Sequence, residues 1–188
     1  METINHIVKE LKKGKVVICP TDTVYGLIAD ATNKKTVEKI FRIKKRSKNK
    51  ALPIFVKDLK AAKKLTQIDK SQEKFLKKAW PGKVTAVLKR KTKKAKPRIY
   101  GVDKKTIALR VPNYKLVLDL LKKINRPLTG TSANVSGEPI FNDIKDVLKQ
   151  FKNKKPKPDL IIDAGNLPKS KPSLVIDLTK KPPKILRA

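Results

Sequence analysis

Apolar positions along this chain repeat with two different periods. Ile4, Ile7, Val8 and Leu11 share one helical face, predicting a helix over 3–13 that Gly14 ends. Val16-Val17-Ile18-Cys19 is a continuous apolar run of strand length, so 15–19 reads as a buried strand stopped by Pro20. Residues 21–27 read as a hydroxyl-rich loop. Asn33 can cap a helix carrying Val37, Ile40 and Phe41, which delivers Lys44-Lys45-Arg46 at its C-terminal end. Further on, 52–56, 84–88, 106–111 and 128–131 read as strands, and 59–65, 72–80, 114–124 and 143–151 as helices, with Pro81-Gly82 marking a turn. The tail holds short strands at 160–163, 174–178 and 185–187. Alternating strands and helices predict an α/β fold, a central twisted mixed sheet with helices packed on it. With no repeat and no linker, the 188 residues suit one domain over 1–188, its most loop-like stretch at 152–158.

Composition adds a strong charge. Lys and Arg total 48 against 16 Asp and Glu, a net charge of +32, yet 39% of positions are hydrophobic, which argues for a packed core and against disorder. Lysine outnumbers arginine 41 to 7, favouring diffuse attraction to polyanions over bidentate reading of phosphates or bases. The acid-free basic blocks between Glu38 and Asp58 and between Glu73 and Asp103 would contact phosphate if exposed; the plainer reading is a lysine bias on a solvated surface. Aromatics are only 5%, so the stacking platform of single-strand binders is missing. The longest charge-free run, 127–137, falls far short of the roughly 20 apolar residues of a membrane span. Without a secretory pattern at the N-terminus and with Cys19 as the one cysteine, a cytoplasmic setting is expected. One His and one Cys leave little for a zinc site or a Cys-His nucleophile pair, and His6 reads as a surface residue.

Neither a dinucleotide-binding G-x-G-x-x-G nor a Walker G-x-x-x-x-G-K-[ST] occurs. Three polar loops at strand ends are candidates instead: 20–27, 44–50 and Thr129-Gly130-Thr131-Ser132-Ala133-Asn134-Val135-Ser136-Gly137. Small hydroxyl residues and glycines let backbone amides and Oγ atoms approach an anion, and Lys44 with Arg46 offers cations, one a planar fork. Singly, each reads more plainly as an ordinary turn or a lysine-rich helix end favoured by the helix dipole. Asn134-Val135-Ser136 matches the glycosylation pattern, an accidental match without a secretory signal.

Taken in order, the segments Pro20-Thr21-Asp22-Thr23-Val24-Tyr25-Gly26-Leu27, Lys44-x-Arg46 with Asn49-Lys50-Ala51-Leu52-Pro53, Trp80-Pro81-Gly82, Thr106-Ile107-Ala108-Leu109-Arg110-Val111-Pro112 and Ser132-Ala133-Asn134-Val135-Ser136-Gly137 resemble the YrdC family over nearly the whole chain. The resemblance implies a single YrdC-like domain with a ligand cavity, and a threonylcarbamoyl-AMP synthase activity. That nucleotidyltransferase forms L-threonylcarbamoyladenylate and pyrophosphate from L-threonine, bicarbonate and ATP, with Mg2+ accompanying ATP, for tRNA modification. It implies ATP contacts at Lys44, Arg46, Lys50, Thr106, Ser132, Asn134, Ile140 and Arg187, with Lys44 and Arg46 catalytic, and threonine contacts at Thr23, Phe55, Arg110, Gly130 and Ser173. No metal ligands are implied. Downstream threonylcarbamoyl transferase proteins, and a contact with tRNA or other RNA, would be its partners. The sequence departs from the family where many relatives carry histidine and Phe55 stands, and where Ser173-Leu174 follows Pro172. An RNA-binding module of the same fold, and a paralogue using a different carbamoyl-type substrate, are the alternatives.

Overall fold

The computed structural model describes residues 3–91 and 97–188. In chain order its elements are α1 (Ile4–Lys12), β1 (Val17–Cys19), β2 (Gly26–Ile28), α2 (Lys34–Ile43), β3 (Ile54–Phe55), α3 (Leu59–Leu65), β4 (Thr66–Gln67), α4 (Lys70–Ala79), β5 (Val84–Arg90), β6 (Thr106–Arg110), α5 (Lys115–Ile124), β7 (Leu128–Thr129), β8 (Thr131–Ser132), α6 (Ile144–Phe151), β9 (Leu160–Ile161), β10 (Leu174–Asp177) and β11 (Lys184–Arg187). Helix starts follow the capping chemistry of the sequence. The Thr3 and Asn33 side chains accept from the His6 and Thr36 amides, and Asp69 with Gln72 forms a reciprocal capping box. Gly14 ends α1 at φ +83, where an added Cβ would meet Thr36 Oγ1 at 2.9 Å.

The strands form two hydrogen-bonded sets in the orders β8-β2-β1-β9 and β11-β10-β5-β6-β3-β7. β1 with β9, β3 with β6 and β5 with β10 are parallel pairs among antiparallel ones, so the sheet is mixed, as expected. The sets join through an antiparallel bridge between Asp30 and Leu128, reinforced by the Thr129 amide donating to the Ala29 carbonyl at 2.8 Å. Two sequence expectations are corrected here. The single strand over 128–131 is split at Gly130, whose flanks β7 and β8 pair with different sets. The loop over 21–27 ends earlier, because Gly26, Leu27 and Ile28 are all buried and pair with β1 as β2. Ile161 is 40% exposed on the edge strand β9. β5 runs on to Arg90, two residues beyond the strand expected over 84–88, and residues 92–96 of the basic block that follows lie outside the described residues.

Three apolar clusters fill the spaces between sheet and helices. α2 and α6 cover one built on Ile18, Leu27 and Ile40; α3 and α4 cover one built on Ile54, Leu88 and Leu109; α1 and α5 cover one built on Val17, Ile28 and Phe55. Phe55 belongs to a core and also reaches the cavity described next.

Candidate active site

The three polar loops meet at one cavity of about 120 Å3. The first loop contributes Thr21, Thr23 and Val24, and the turn after α2 contributes Arg46. Phe55 comes from β3, Arg110 from the end of β6, and Gly130 and Ser132 from the β7–β8 break. Ile140, Ser173 and Arg187 close the far side. Three guanidinium groups thus line a cavity that no carboxylate lines. A groove of about 700 Å3 between α4 and the β10–β11 hairpin is larger; apolar Phe75, Ile176, Leu178 and two prolines share its lining with Asp69, Gln72 and three lysines, and no arginine lines it.

Arg46 and Arg187 are each held through Nε and Nη2, whereas Arg110 is held through all three of its nitrogens. Arg110 is buried; its Nε donates to the Gly82 carbonyl at 2.9 Å, Nη2 to Asp22 Oδ1 at 2.6 Å and Nη1 to Thr23 Oγ1 at 3.4 Å. The second oxygen of Asp22 accepts from the Asn113 amide at 3.0 Å, so the carboxylate is fixed on both sides. Arg46 donates from Nε to the Lys50 carbonyl and from Nη2 to the Ala51 carbonyl, both at 2.9 Å. Arg187 grips the Ser173 carbonyl from Nε at 3.1 Å and Nη2 at 2.8 Å. Burial pulls all three below the ordinary arginine range, opposed at Arg110 by the charge of Asp22, and all three remain cations.

The hydroxyls are set by neighbours. Thr21 Oγ1 donates to the Val24 carbonyl at 2.7 Å and accepts from the Thr23 amide at 3.1 Å, which fixes the first loop. The Ser173 and Thr85 hydroxyls are 2.8 Å apart, and Ser132 Oγ donates to Asn134 Oδ1 at 2.7 Å. The Phe55 ring lies over Gly130, where an added Cβ would stand 2.3 Å from Cε1, and the Arg110 guanidinium carbon is 5.8 Å from the ring centre.

Of the residues singled out in the sequence, Thr23, Arg46, Phe55, Arg110, Gly130, Ser132, Ile140, Ser173 and Arg187 line the cavity. Four do not. Lys44 is buried behind Ser132 with its ammonium on backbone and side-chain oxygens of 132–134, and Asn134 is one of its partners. Lys50 supports Arg46 through its carbonyl. Thr106 begins β6, about 13 Å along the strand from Arg110, and its hydroxyl donates to Asp103 at 3.4 Å. Asp22 and Thr85 escaped sequence reasoning. Asp22 lay within a loop read for its hydroxyls, and Thr85 looks in sequence like any buried strand residue. Cys19 is buried, which pushes its thiol up and away from reactivity. Among the described residues no group of three or more His, Cys, Asp or Glu side chains could hold a metal.

Arg46, like Arg187, has uncharged partners and no carboxylate, so its charge is left uncompensated, unlike that of Arg110. Arg46→Ala is expected to lower turnover at least about tenfold through a lost charge-assisted contact, with little change in melting temperature. Steady-state kinetics beside a thermal melt checks this.

Comparison with known proteins agrees with the geometry. A Sua5_yciO_yrdC family model, described as Telomere recombination, matches residues 9–188. The threonylcarbamoyl-AMP synthase of Pyrococcus abyssi is 35% identical over 178 residues, 94% of this chain and 51% of that protein, so the chain spans about half its length. A crystal structure of P. abyssi Sua5 complexed with L-threonine superimposes with a TM-score of 0.87 at 35% identity, covering 98% of this chain and 53% of that one. Escherichia coli YciO superimposes with a TM-score of 0.85 at 30% identity, covering 98% of this chain and 87% of its own. No helix among the described residues is long and apolar enough to cross a membrane. A match over nearly all of its length, in sequence and in fold, makes this chain a member of the Sua5/YciO/YrdC family.

Proposed function

We propose that this protein is a threonylcarbamoyl-AMP synthase, joining L-threonine, bicarbonate and ATP into L-threonylcarbamoyladenylate and pyrophosphate for tRNA modification. The observation that supports it best is the convergence of Arg46, Arg110 and Arg187 with the hydroxyls of Thr23, Ser132 and Ser173 on a cavity without a carboxylate. Such a lining suits a ligand with several negative charges. Relatives named threonylcarbamoyl-AMP synthase and a Sua5 structure holding L-threonine support the same reading.

The chemistry needs no protein nucleophile. Bicarbonate dehydrates to CO2; the neutral threonine amine attacks it, forming the C–N bond of a carbamate and releasing one proton. A carbamate oxygen then attacks the α-phosphorus of ATP, and the bond from that phosphorus to the α,β-bridging oxygen breaks as pyrophosphate leaves with its electron pair. Catalysis is therefore positioning and charge neutralisation. Arg110 keeps one N–H on each terminal nitrogen beyond those given to Asp22 and Thr23, which would take the amino-acid carboxylate. Arg46 and Arg187 would face the phosphates and the departing pyrophosphate, with Ser132 and the amides beside it. The lining offers no carboxylate to Mg2+, so the ion would enter with ATP as part of the substrate, held by phosphate oxygens and water.

Pyrophosphate release from ATP should require both threonine and bicarbonate, with the adenylate as co-product; release independent of either one overturns the proposal. Phe55 favours one second reading, a paralogue that takes a different carbamoyl-type substrate, because its ring places an apolar face on the amino-acid side of the cavity. Serine or another amino acid replacing threonine with equal or higher kcat/KM would select that reading. If the molecule were an RNA-binding module instead, binding would fall steeply with salt and no turnover would accompany it. Within the proposed role, transferase proteins consume the adenylate, and the lysine-rich surface would concentrate ATP or tRNA nearby.

A further inference from the structure

Lys44 stands at the C-terminal end of α2, 2% exposed, with no acidic partner. Its Nζ donates to the Ser132 carbonyl at 2.6 Å, the Asn134 carbonyl at 2.7 Å and Asn134 Oδ1 at 3.0 Å, which uses all three ammonium protons. The Lys44 carbonyl accepts from the Ser136 amide at 2.8 Å, so side chain and backbone hold the same loop at both ends. Asn134 Oδ1 also takes the Ser132 hydroxyl proton at 2.7 Å, which turns the serine oxygen's lone pairs away from Asn134. Asn134 Nδ2 is tied to the Glu138 carbonyl at 2.7 Å. Every proton that could reach a ligand from Lys44 is spent on the loop.

We infer that Lys44 is a proton-controlled positioning residue, a buried ammonium that shapes the 132–136 loop for the nucleotide rather than touching it. A neutral amine has two N–H groups and a lone pair facing the same three oxygens, so deprotonation turns one attraction into repulsion and releases the loop. Burial, with Arg46 beside it, draws the group down to about 7. Arg46 is the charged neighbour acting on it; Ser132, Ala133, Asn134, Val135 and Ser136 bring no charge, and the side chain of Glu138 is exposed. A triphosphate arriving on the far side of Ser132 would favour the charged form, coupling nucleotide binding to proton uptake.

Local and global effects of pH then run in opposite directions. With its value at about 7 in the fold against the ordinary 10.5, Lys44 makes the folded state bind fewer protons than the unfolded state across that window. Its contribution to global stability therefore rises with pH between the two values, while the loop loosens.

The inference rests on reading the cavity as a nucleotide site, and two measurements on the full chain separate them. Without nucleotide, Lys44→Met should speed amide hydrogen exchange at 132–138 about tenfold after correction for intrinsic rates, and the wild type should show the same loosening as pH rises from 6 to 9. With MgATP as probe, wild-type affinity should fall by up to about tenfold per pH unit above 7, with calorimetric proton uptake that Lys44→Met abolishes. Unchanged loop exchange in Lys44→Met together with weaker MgATP binding would make Lys44 a direct phosphate ligand and overturn the inference, as would a wild-type affinity that ignores pH. Should the variant not fold, the wild-type pH series decides alone. If MgATP does not bind at all, the proposed function fails, while loop exchange still decides whether the clamp exists.

Discussion

Arg110→Ala should reduce kcat/KM for the amino acid about a hundredfold, the loss expected for a charge-assisted contact of about 3 kcal/mol. It should also destabilise the fold. Asp22 is 7% exposed at its side chain and 2.6 Å from Nη2; without the guanidinium it remains a buried carboxylate held by one backbone amide. Stranding such a charge typically costs about 3–5 kcal/mol. The two effects separate by a second substitution. Asp22→Asn in the Arg110→Ala background removes the stranded charge, so urea or thermal unfolding should recover part of the stability while activity stays low. Recovery of activity together with stability would assign Arg110 to the scaffold and leave the carboxylate clamp without support. A full loss of stability with Asp22→Asn alone would show that the pair is worth more than its desolvation cost.

Charge gave the least direct guidance to this site. Of 7 arginines, three line the cavity, whereas none of the 41 lysines does among the described residues. The physical reason is the difference between the two cations. A guanidinium can spend one edge on protein carbonyls, as Arg46 does on Lys50 and Ala51, and keep another edge for a ligand. An ammonium buried equally deeply spends all its donors at one point, as Lys44 does. Composition alone therefore points toward polyanions in general, and only the placement of a few arginines narrows it to a small anionic ligand.

The secondary structure was legible wherever one period dominated. Leu59–Leu65 coincides with its expected helix, α1, α5 and α6 each begin one residue inside theirs, and α2 begins just after the Asn33 cap. β2 was not legible, because Gly26-Leu27-Ile28 follows a run of hydroxyls without a turn residue to separate loop from strand. The two-residue strands β4 and β8 were not either, since pairing partners far along the chain define them: Thr66 with Arg90, and Thr131 with Leu27. The same limit applies to the site. Motif order brought Arg46, Arg110, Ser132 and Ser173 forward, but Asp22 and Thr85 act through residues 88 positions away, a relation no local pattern carries. Thr106 shows the opposite failure, a motif neighbour of Arg110 that the strand carries away from the cavity.

Gly130→Ala should damage the site through packing alone. The residue has no left-handed backbone to strain, so the whole effect comes from its missing side chain. A methyl there would stand 2.3 to 2.6 Å from three carbons of the Phe55 ring, closer than carbon atoms approach. The ring has little room to retreat: it is 3% exposed and packed in the cluster containing Val17, Ile28 and Leu128, with the Arg110 guanidinium carbon 5.8 Å from its centre. Overpacking of this kind costs about 1–3 kcal/mol. A displaced ring would move toward the cavity or push Arg110 off Asp22, so KM for the amino acid should rise about tenfold or more while MgATP affinity changes little. Phe55→Ala in the same chain supplies the missing room and should return stability toward wild type, with a cavity penalty of its own. If Gly130→Ala folds and turns over normally without that second change, the contact between ring and glycine does not shape the amino-acid side of the cavity, and Phe55 loses its place as the residue that sets what the site accepts.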